Sequence, residues 1–160
     1  MAAHIREYEP RDAAALRRCV VALQEHERAI DTRLPPGEAM ADAYCANLHH
    51  RCRTARGQIL VAERDATVVG FVAVLAEEPF TELDEPSGTY ALVTDLVVLD
   101  PHRREGVGRQ LLEGAEAYAR RAGGVELRIG VLAQNAGARS LYLAMGFVSH
   151  LEIFAKRLAT

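Results

Sequence analysis

Alternating apolar and polar positions mark the strands predicted for this chain. Apolar side chains at every second position place one face of a strand against a core, and short continuous apolar segments are typical of buried strands. Five segments follow these patterns: residues 4–9, 58–64, 67–76, 92–99 and 125–131. A short turn at Asp65 and Ala66 separates the second segment from the third, which predicts a β-hairpin.

Helical spacing of apolar residues predicts four helices. The first begins at Pro10, and its apolar stripe is formed by Ala13, Leu16, Val20 and Leu23. The second follows the break at residues 35–37 and ends near Gly57, and its apolar face comprises Met40, Tyr44 and Leu48. The third covers residues 107–122, where two glycines end it, and the fourth covers residues 135–145.

The order of these elements predicts a mixed α/β sheet within one domain, residues 1–160. A helix between two strands of one sheet implies a right-handed crossover, so the strands on either side of the third helix should be parallel. Hairpin connections elsewhere imply antiparallel pairing, and the sheet should be mostly antiparallel. The acidic segment 77–88 is interpreted as a loop, and residues 147–148 and 151–158 as strands that close the sheet.

Composition narrows the possible functions. The net charge is −3, which argues against a nucleic-acid platform. No apolar segment approaches the length of a membrane span and the N-terminus has no signal-peptide pattern, so we expect a cytoplasmic protein without a membrane partner. The three cysteines lack Cys-x-x-Cys or Cys/His ligand spacing, which predicts reduced thiols and no metal site.

The chemistry predicted for this sequence centres on a basic, glycine-bearing turn after the buried strand. Residues 102–108 read HRREGVG and are followed directly by a helix. A helix start presents unpaired N–H groups and the positive end of the helix dipole, and it binds phosphate groups. Glycines let a ligand approach the backbone closely, and the arginines add positive charge. The turn therefore predicts a phosphate-binding site.

The turn has the spacing Arg103-x-x-Gly106-x-Gly108, and Leu96-x-Val98 precedes it. Downstream, Asn135 and Tyr142 stand seven residues apart, ahead of a Gly-Phe pair. In these motifs the sequence resembles the GCN5-related N-acetyltransferase (GNAT) superfamily. The resemblance covers about residues 68–158. It implies a GNAT-like fold whose central parallel strands splay apart to admit acetyl-CoA.

The resemblance also implies which residues hold acetyl-CoA. Backbone amides from Arg104 to Arg109 would grip the pyrophosphate, and the backbone of the preceding strand would pair with the pantetheine arm. The implied cofactor-binding residues are Leu96, Val97, Val98, Arg103, Arg104, Glu105, Gly106, Val107, Gly108, Arg109 and Asn135. Asn135 is also a good helix N-cap. Glu105 is unfavourable next to phosphate, so we expect it to point toward solvent.

A dinucleotide is a competing ligand for this turn. Gly106-x-Gly108-x-x-Leu111 lacks the third glycine of the dinucleotide fingerprint, although Glu126 stands about where the acidic residue of that fingerprint would fall. If the ligand were a dinucleotide, the segment from Asn135 to Tyr142 would have no role in binding it. We therefore favour coenzyme A.

Two residues are predicted to be catalytic, Tyr142 and Asp95. Tyr142 lies in the Leu-Tyr-x-x-x-Gly-Phe context in which the family has its general acid, although a tyrosine in a short helix is more often a core residue. Asp95 is a carboxylate within an apolar strand and needs a partner or a cleft. It is predicted either to act on the acceptor amine as base or to form a salt bridge. Glu77, Glu78 and water are the alternative bases. The resemblance also places residues 26–31 at the variable acceptor wall, where they would contribute acids without a specific motif.

The sequence therefore predicts an acyl-CoA-dependent N-acyltransferase that moves an acetyl group to a primary amine by direct attack in a ternary complex. No cysteine lies in a nucleophile context, so we expect no acyl-cysteine intermediate. The alternatives are a non-catalytic acyl-CoA sensor and an enzyme that acetylates a protein N-terminus or lysine. The acidic segment 77–85 weakly favours a cationic small-molecule acceptor. A homodimer is possible by analogy with the superfamily.

Overall fold

The computed structural model describes residues 3–158. Its strands form one mixed sheet in the order β1-β2-β3-β4-β5. The strands are β1 His4–Glu7, β2 Gly57–Arg64, β3 Thr67–Pro79, β4 Thr89–Val98 and β5 Leu127–Ile129. The first four strands pair antiparallel and β5 pairs parallel with β4, as the sequence predicted.

The four predicted helices are present. They are α1 Ala13–Ile30, α2 Gly37–Thr54, α3 Val107–Arg121 and α4 Ala136–Ala144. Short 3-10 turns at Pro10–Asp12 and Asp100–His102 precede α1 and α3. The predicted stripe of α1 is buried or half-buried at Leu16, Val20 and Leu23, whereas Ala13 is exposed at the first turn. None of the helices within residues 3–158 combines the length and apolarity needed to cross a bilayer.

Helices cover both faces of the sheet. One apolar cluster packs α1 and α2 against Phe71, Ala73 and Val97 of the sheet. A second cluster packs α3 and Tyr142 of α4 against the opposite face, which includes Val93. Successive residues of a strand point to opposite faces, so β3 and β4 contribute to both clusters. The central strands are thus buried on both sides, which explains their continuous apolar sequence.

The two parallel strands separate after a short contact. Pairing between β4 and β5 involves only Ala91 with Leu127, Leu92 with Arg128 and Val93 with Ile129. Beyond Val93, β4 continues to Val98 while β5 ends at Ile129. Within the described part of the chain, the edge of β4 after Val93 therefore lies open on the side away from β3. This opening is the splay that the family resemblance implied.

A β-bulge in β4 lies where the two parallel strands separate. Val93 pairs with Val74 of β3 and Asp95 pairs with Ala73, so Thr94 is an extra residue in the register. A bulge shifts the alternation of side chains by one position. Val93 consequently packs with α3, whereas Asp95 lies on the face covered by α1 and α2. A regular strand would place both residues on the same face.

The predicted C-terminal strands are wrong. Residues 147–158 form neither helix nor strand, and their large apolar side chains are mostly exposed, including Leu151, Ile153 and Phe154. Apolar spacing alone does not make a strand, because a strand also needs an edge with which to pair. Several strand boundaries also differ, since β1 ends at Glu7 and β4 begins at Thr89. β3 runs on to Pro79, into the predicted loop, and β5 comprises only Leu127–Ile129.

Candidate active site

The predicted phosphate-binding turn connects β4 to α3. Gly106 is the N-cap of α3 and has φ +83°, and Arg104 has φ +65°. A Cβ atom at Gly106 would meet no atom within 4 Å, so the glycine is required by its backbone angle and faces open space. The turn therefore exposes the first N–H groups of a 15-residue helix to an open surface.

Charged side chains around this turn have different surroundings. Arg104 and Arg109 are exposed, which leaves them able to contact an anion. Arg103 donates from Nε to the carbonyl of Val98 at 2.8 Å, which ties the turn to the end of β4. Glu105 forms an ion pair with Arg64 of β2, and this pair draws the carboxylate away from the helix start. Its side chain remains half-exposed, in keeping with the predicted direction toward solvent.

The start of α3 and the helix α4 lie against each other. A Cβ atom at Gly108 would stand 3.2 Å from Cδ2 of Leu141, which explains why a glycine occupies this second position. Asn135 caps α4, and its Oδ1 accepts a hydrogen bond of 3.2 Å from the N–H of Ala138. The capping role of Asn135 is therefore present, and its amide NH₂ group takes no part in that bond.

Tyr142 lies on the buried side of α4. It is 9% exposed, and its ring packs against that of Phe147 with 5.9 Å between ring centroids. Burial raises the pKa of Tyr142 to about 12, and the negative charge of Glu27 contributes to the increase. The phenol is therefore protonated at neutral pH.

Asp95 is a buried carboxylate with one partner. Its Oδ1 accepts a hydrogen bond of 2.6 Å from the hydroxyl of Tyr44 on α2, and the residue is only 4% exposed. Its Oδ2 has no hydrogen-bond partner among the described residues. Burial raises the pKa of Asp95, and the hydrogen bond from Tyr44 opposes that increase. The predicted salt bridge is replaced by this neutral donor.

Two cavities meet beside Asp95. The first has a volume of about 230 Å³ and lies between α1, α2 and β4, where Asp95 forms part of its wall. The second has a volume of about 420 Å³ and lies along the opening between β4 and the segment after β5. Three residues line both cavities: Glu27, Tyr44 and Thr94. The two cavities therefore share one wall.

Comparison with known proteins agrees with this geometry. A family model described as the Acetyltransferase (GNAT) family matches residues 20–147, which is most of the chain. The chain belongs to the GNAT acetyltransferase family. The match includes the glycine turn, the open edge of β4 and Tyr142.

Two curated relatives share part of their length with this GNAT chain. N-acetyltransferase 8F1 of Rattus norvegicus is 35% identical over 94 residues, which span 58% of this chain and 40% of the rat protein. Aminoglycoside N(6')-acetyltransferase type 1 of Klebsiella aerogenes is 32% identical over 102 residues, which span 62% of this chain and 66% of that protein. The matches thus cover less than two thirds of each relative.

Solved structures share the fold of this GNAT chain over nearly its whole length. The aminoglycoside N-acetyltransferase AAC(6')-Iy, solved with the bisubstrate analogue CoA-S-monomethyl-acetylneamine, has a TM-score of 0.73 at 16% identity, with 100% of both chains covered. A transcriptional regulator from Bacillus halodurans C-125 also has a TM-score of 0.73, at 19% identity, covering 98% of this chain and 99% of that one. At such identities the likeness establishes the fold.

The alternative bases are engaged in ion pairs and do not line the two cavities of this GNAT domain. Glu77 forms an ion pair with Arg56, and Glu78 forms one of 3.4 Å with Arg51. Neither glutamate lines the first or the second cavity. Of these two carboxylates and Asp95, the structure therefore brings only Asp95 to the cavity wall.

The sequence motifs gave Glu27 no specific role, since it was named only within the segment 26–31 at the acceptor wall. The sequence nevertheless carried a signal for it. The buried stripe of α1 runs through Leu16, Val20 and Leu23, and the next position at that spacing is Glu27. A carboxylate that continues an apolar stripe is unusual, because burying a charge without a partner is costly. Such a residue is either paired or faces a cleft.

Proposed function

We propose that this GNAT protein is an N-acetyltransferase that moves an acetyl group from acetyl-CoA to a primary amine by direct attack in a ternary complex. The observation that carries the proposal is the position of the glycine turn. It opens α3 directly beyond the free edge of β4, and that edge runs back to the two cavities, the first of which is lined by Asp95. A cofactor bound by its phosphates at the turn would thus reach the cavity wall along this edge.

The residues of the turn fit a pyrophosphate. Amides from Arg104 to Arg109 would donate to its oxygens, and the positive end of the α3 dipole would favour its charge. Arg104 and Arg109 would add ionic contacts, while Arg103 fixes the turn to β4. The open space at Gly106 allows a phosphate oxygen to reach the backbone. The chain thus supplies donors, charge and room at the same point.

The strand edge fits the pantetheine arm. Residues 94–98 of β4 lack a β5 neighbour, so their backbone is able to pair with the two amides of the arm as an added strand would. Leu96, Val97 and Val98 would contribute backbone contacts only. Asn135, at the start of α4, would use its free amide NH₂ group toward the same arm. These contacts would lay the thioester against the cavities.

Tyr142 would act as the general acid. The leaving thiolate needs a proton, and a phenol whose pKa lies at about 12 remains protonated at neutral pH until a strong base forms beside it. Asp95, on the wall of the first cavity, would bind the acceptor amine. The first cavity has room for a small amine or for one end of a larger one, which suits both a free small molecule and the amine terminus of a longer acceptor.

A polyamine, an amino sugar or a similar cationic compound is the acceptor class we favour. The Klebsiella relative is named as an aminoglycoside acetyltransferase, and the bisubstrate complex of AAC(6')-Iy carries an acetylneamine group. In this chain, Glu27 and Asp95 place two carboxyl groups on the wall of the first cavity, which suits an ammonium group. Our preference for a cationic acceptor depends on these carboxyl groups and not on the names of the relatives.

Release of free thiol from acetyl-CoA over a panel of amines tests the proposal. Wild-type protein should release thiol with at least one class of amine. Tyr142→Phe should lower kcat by about 10²-fold, because it removes the proton donor, and should leave the Kd for acetyl-CoA unchanged by calorimetry. Tyr118→Phe is the matched control, because the Tyr118 hydroxyl bonds the backbone of Arg56 away from the cavities.

Two results would count against the proposal. If calorimetry detects no binding of coenzyme A, the turn does not hold a pyrophosphate. If acetyl-CoA binds but no amine in the panel is acetylated, the protein is an acyl-CoA sensor rather than an enzyme.

A further inference from the structure

We propose that Glu27 is the carboxylate that takes a proton from the acceptor ammonium, at the point where the two cavities meet. This inference rests on the proposed N-acetyltransferase function. It assigns the general base to a residue of α1 that the sequence motifs do not include. The first cavity would hold the acceptor and the second the acyl end of the pantetheine arm.

The position of Glu27 is the first observation. Glu27, Tyr44 and Thr94 line both cavities, so a group that moves between acceptor and acyl donor passes these three residues. Tyr44 already donates its hydroxyl proton to Asp95 in a hydrogen bond. The Thr94 hydroxyl is not a base at neutral pH. Glu27 is therefore the ionisable carboxylate of the shared wall.

Unpartnered buried oxygens are the second, independent observation. Asp95 Oδ2 and Thr94 Oγ1 are buried and form no hydrogen bond of regular geometry within residues 3–158, although the Thr94 side chain lies close enough to Asp95 to lower the pKa of that carboxyl group. Buried polar atoms normally have a partner, and leaving one without costs about 1–3 kcal/mol. Both residues line the first cavity, where an ammonium group offers three N–H donors. A bound ammonium would therefore satisfy Asp95, Thr94 and Glu27 together.

The surroundings of the two carboxylates distinguish their roles. Asp95 is almost fully buried, and its Oδ1 is already engaged by the hydroxyl of Tyr44, which suits it to holding the acceptor in place. Glu27 is half-buried and lines the wider second cavity as well, which gives an accepted proton a route out. Burial and the charge of Asp95 raise the pKa of Glu27, which makes its carboxylate a stronger base than a free glutamate.

The proton transfers balance as follows. The ammonium gives one proton to the Glu27 carboxylate, and the neutral nitrogen attacks the thioester carbonyl carbon, forming a C–N bond. As the C–S bond breaks, the sulfur receives the proton of Tyr142. The second proton of the nitrogen then restores the phenol. Glu27 releases its proton to water, so each turnover yields one amide, one thiol and one free proton.

Acceptors of different basicity test this assignment. Glu27→Gln should lower kcat/KM for a primary alkylamine, which is protonated at neutral pH, by about 10²–10³-fold. With an alkoxyamine, kcat/KM of the same variant should fall by less than about tenfold. An alkoxyamine is already neutral at that pH, so no base is needed to remove its first proton. Glu113→Gln, at an exposed position of α3, is the matched control and should change neither value.

A second variant separates proton transfer from binding. Asp95→Asn should lower kcat/KM for both acceptors to a similar extent, because it alters an oxygen that binds the acceptor. If Glu27→Gln retains wild-type kcat/KM for the alkylamine, Glu27 is not the base. The same conclusion holds if its kcat/KM falls equally for both acceptors. If only Asp95→Asn lowers kcat/KM selectively for the alkylamine, Asp95 is the base. A wild type that acetylates neither compound would overturn the proposed function itself, which distinguishes the two failures.

Discussion

The hydroxyl of Tyr44 donates a hydrogen bond of 2.6 Å to Oδ1 of Asp95, across 51 positions of sequence. The bond joins α2 to β4 at the base of the first cavity. It exists because the bulge at Thr94 turns Asp95 toward α1 and α2, whereas Val93 faces α3. The β-bulge in β4 therefore determines that Asp95, the buried acid of this strand, lies against α1 and α2.

Tyr44→Phe should destabilise the protein. The change leaves Asp95 Oδ1 buried without its donor, and we expect the free energy of unfolding to fall by about 1–2 kcal/mol. Denaturant titration followed by circular dichroism measures this loss. Tyr8→Phe is the control, because the Tyr8 ring packs against His49 and its hydroxyl has no hydrogen bond to another described residue. Equal losses for the two variants would show that the Tyr44–Asp95 bond contributes nothing.

Gly106→Ala should weaken the binding of coenzyme A. An alanine at φ +83° is strained by about 1–2 kcal/mol, so the turn should shift away from its binding geometry and the Kd should rise at least tenfold. Gly123→Ala is a matched control at the other end of α3, since Gly123 has φ +91° and open space at its Cβ position. Both variants should lose similar stability.

Calorimetric titration with coenzyme A separates the two glycine variants. Only Gly106→Ala should raise the Kd, because Gly123 lies at the far end of the helix from the turn. A wild-type Kd in Gly106→Ala would contradict a pyrophosphate site at this turn.

Asp12 should account for part of the loss of stability in acid. Two hydrogen bonds from Arg6, at 2.7 and 2.9 Å, together with one from the N–H of Glu9, lower the pKa of Asp12 to about 2. Because the folded pKa lies below the unfolded value, the stabilisation is complete above about pH 4. It is lost as the pH falls through 2, and it amounts to about 2 kcal/mol.

Asp12→Asn should remove this stabilisation at neutral pH. We expect the variant to lose about 2 kcal/mol at pH 7 and to show a smaller further loss between pH 4 and pH 2 than the wild type. Urea titrations across that range measure both effects. Asp84→Asn, in the exposed loop after β3, should behave as the wild type does. An unchanged acid slope in Asp12→Asn would rule out this source of pH dependence.

Acetyl-CoA alone should not acetylate the protein. Burial raises the pKa of Cys19 and of Cys52 to about 11, so both thiols are protonated at neutral pH and are poor nucleophiles. Burial also raises the pKa of Cys45. Intact-mass measurement after incubation without an amine should show no added acetyl group. A mass increase that hydroxylamine reverses would indicate a thioester and contradict direct attack.

The helix starts and turns were predictable from local sequence. Pro10, the glycines at 106 and 108, and Asn135 each act on backbone groups within a few residues of themselves. A positive φ, an N-cap hydrogen bond and a hairpin turn follow from such short-range geometry. The family motifs lie in the same local features, so the sequence yields a prediction for the cofactor side of the candidate site in residue detail.

The acceptor side could not be predicted in the same way. The bulge at Thr94 depends on the register between β3 and β4, and periodicity in β4 alone gives no sign of it. Glu27 and Asp95 come to the wall of one cavity only once α1 has packed on the sheet. The predicted strand at 151–158 failed for a related reason, since strand formation depends on a neighbour that the segment itself does not contain.

The sequence by itself determined where the helices begin, how the hairpin turns, and which glycines and amides surround the proposed phosphate site. These features depend on backbone angles and on hydrogen bonds between near neighbours. Tertiary structure alone decided that Asp95 faces Tyr44, that β4 has a free edge after Val93, and that Glu27 stands between two cavities. Those relationships depend on strand register and on helices packing across a sheet, and they join residues that are distant in the chain.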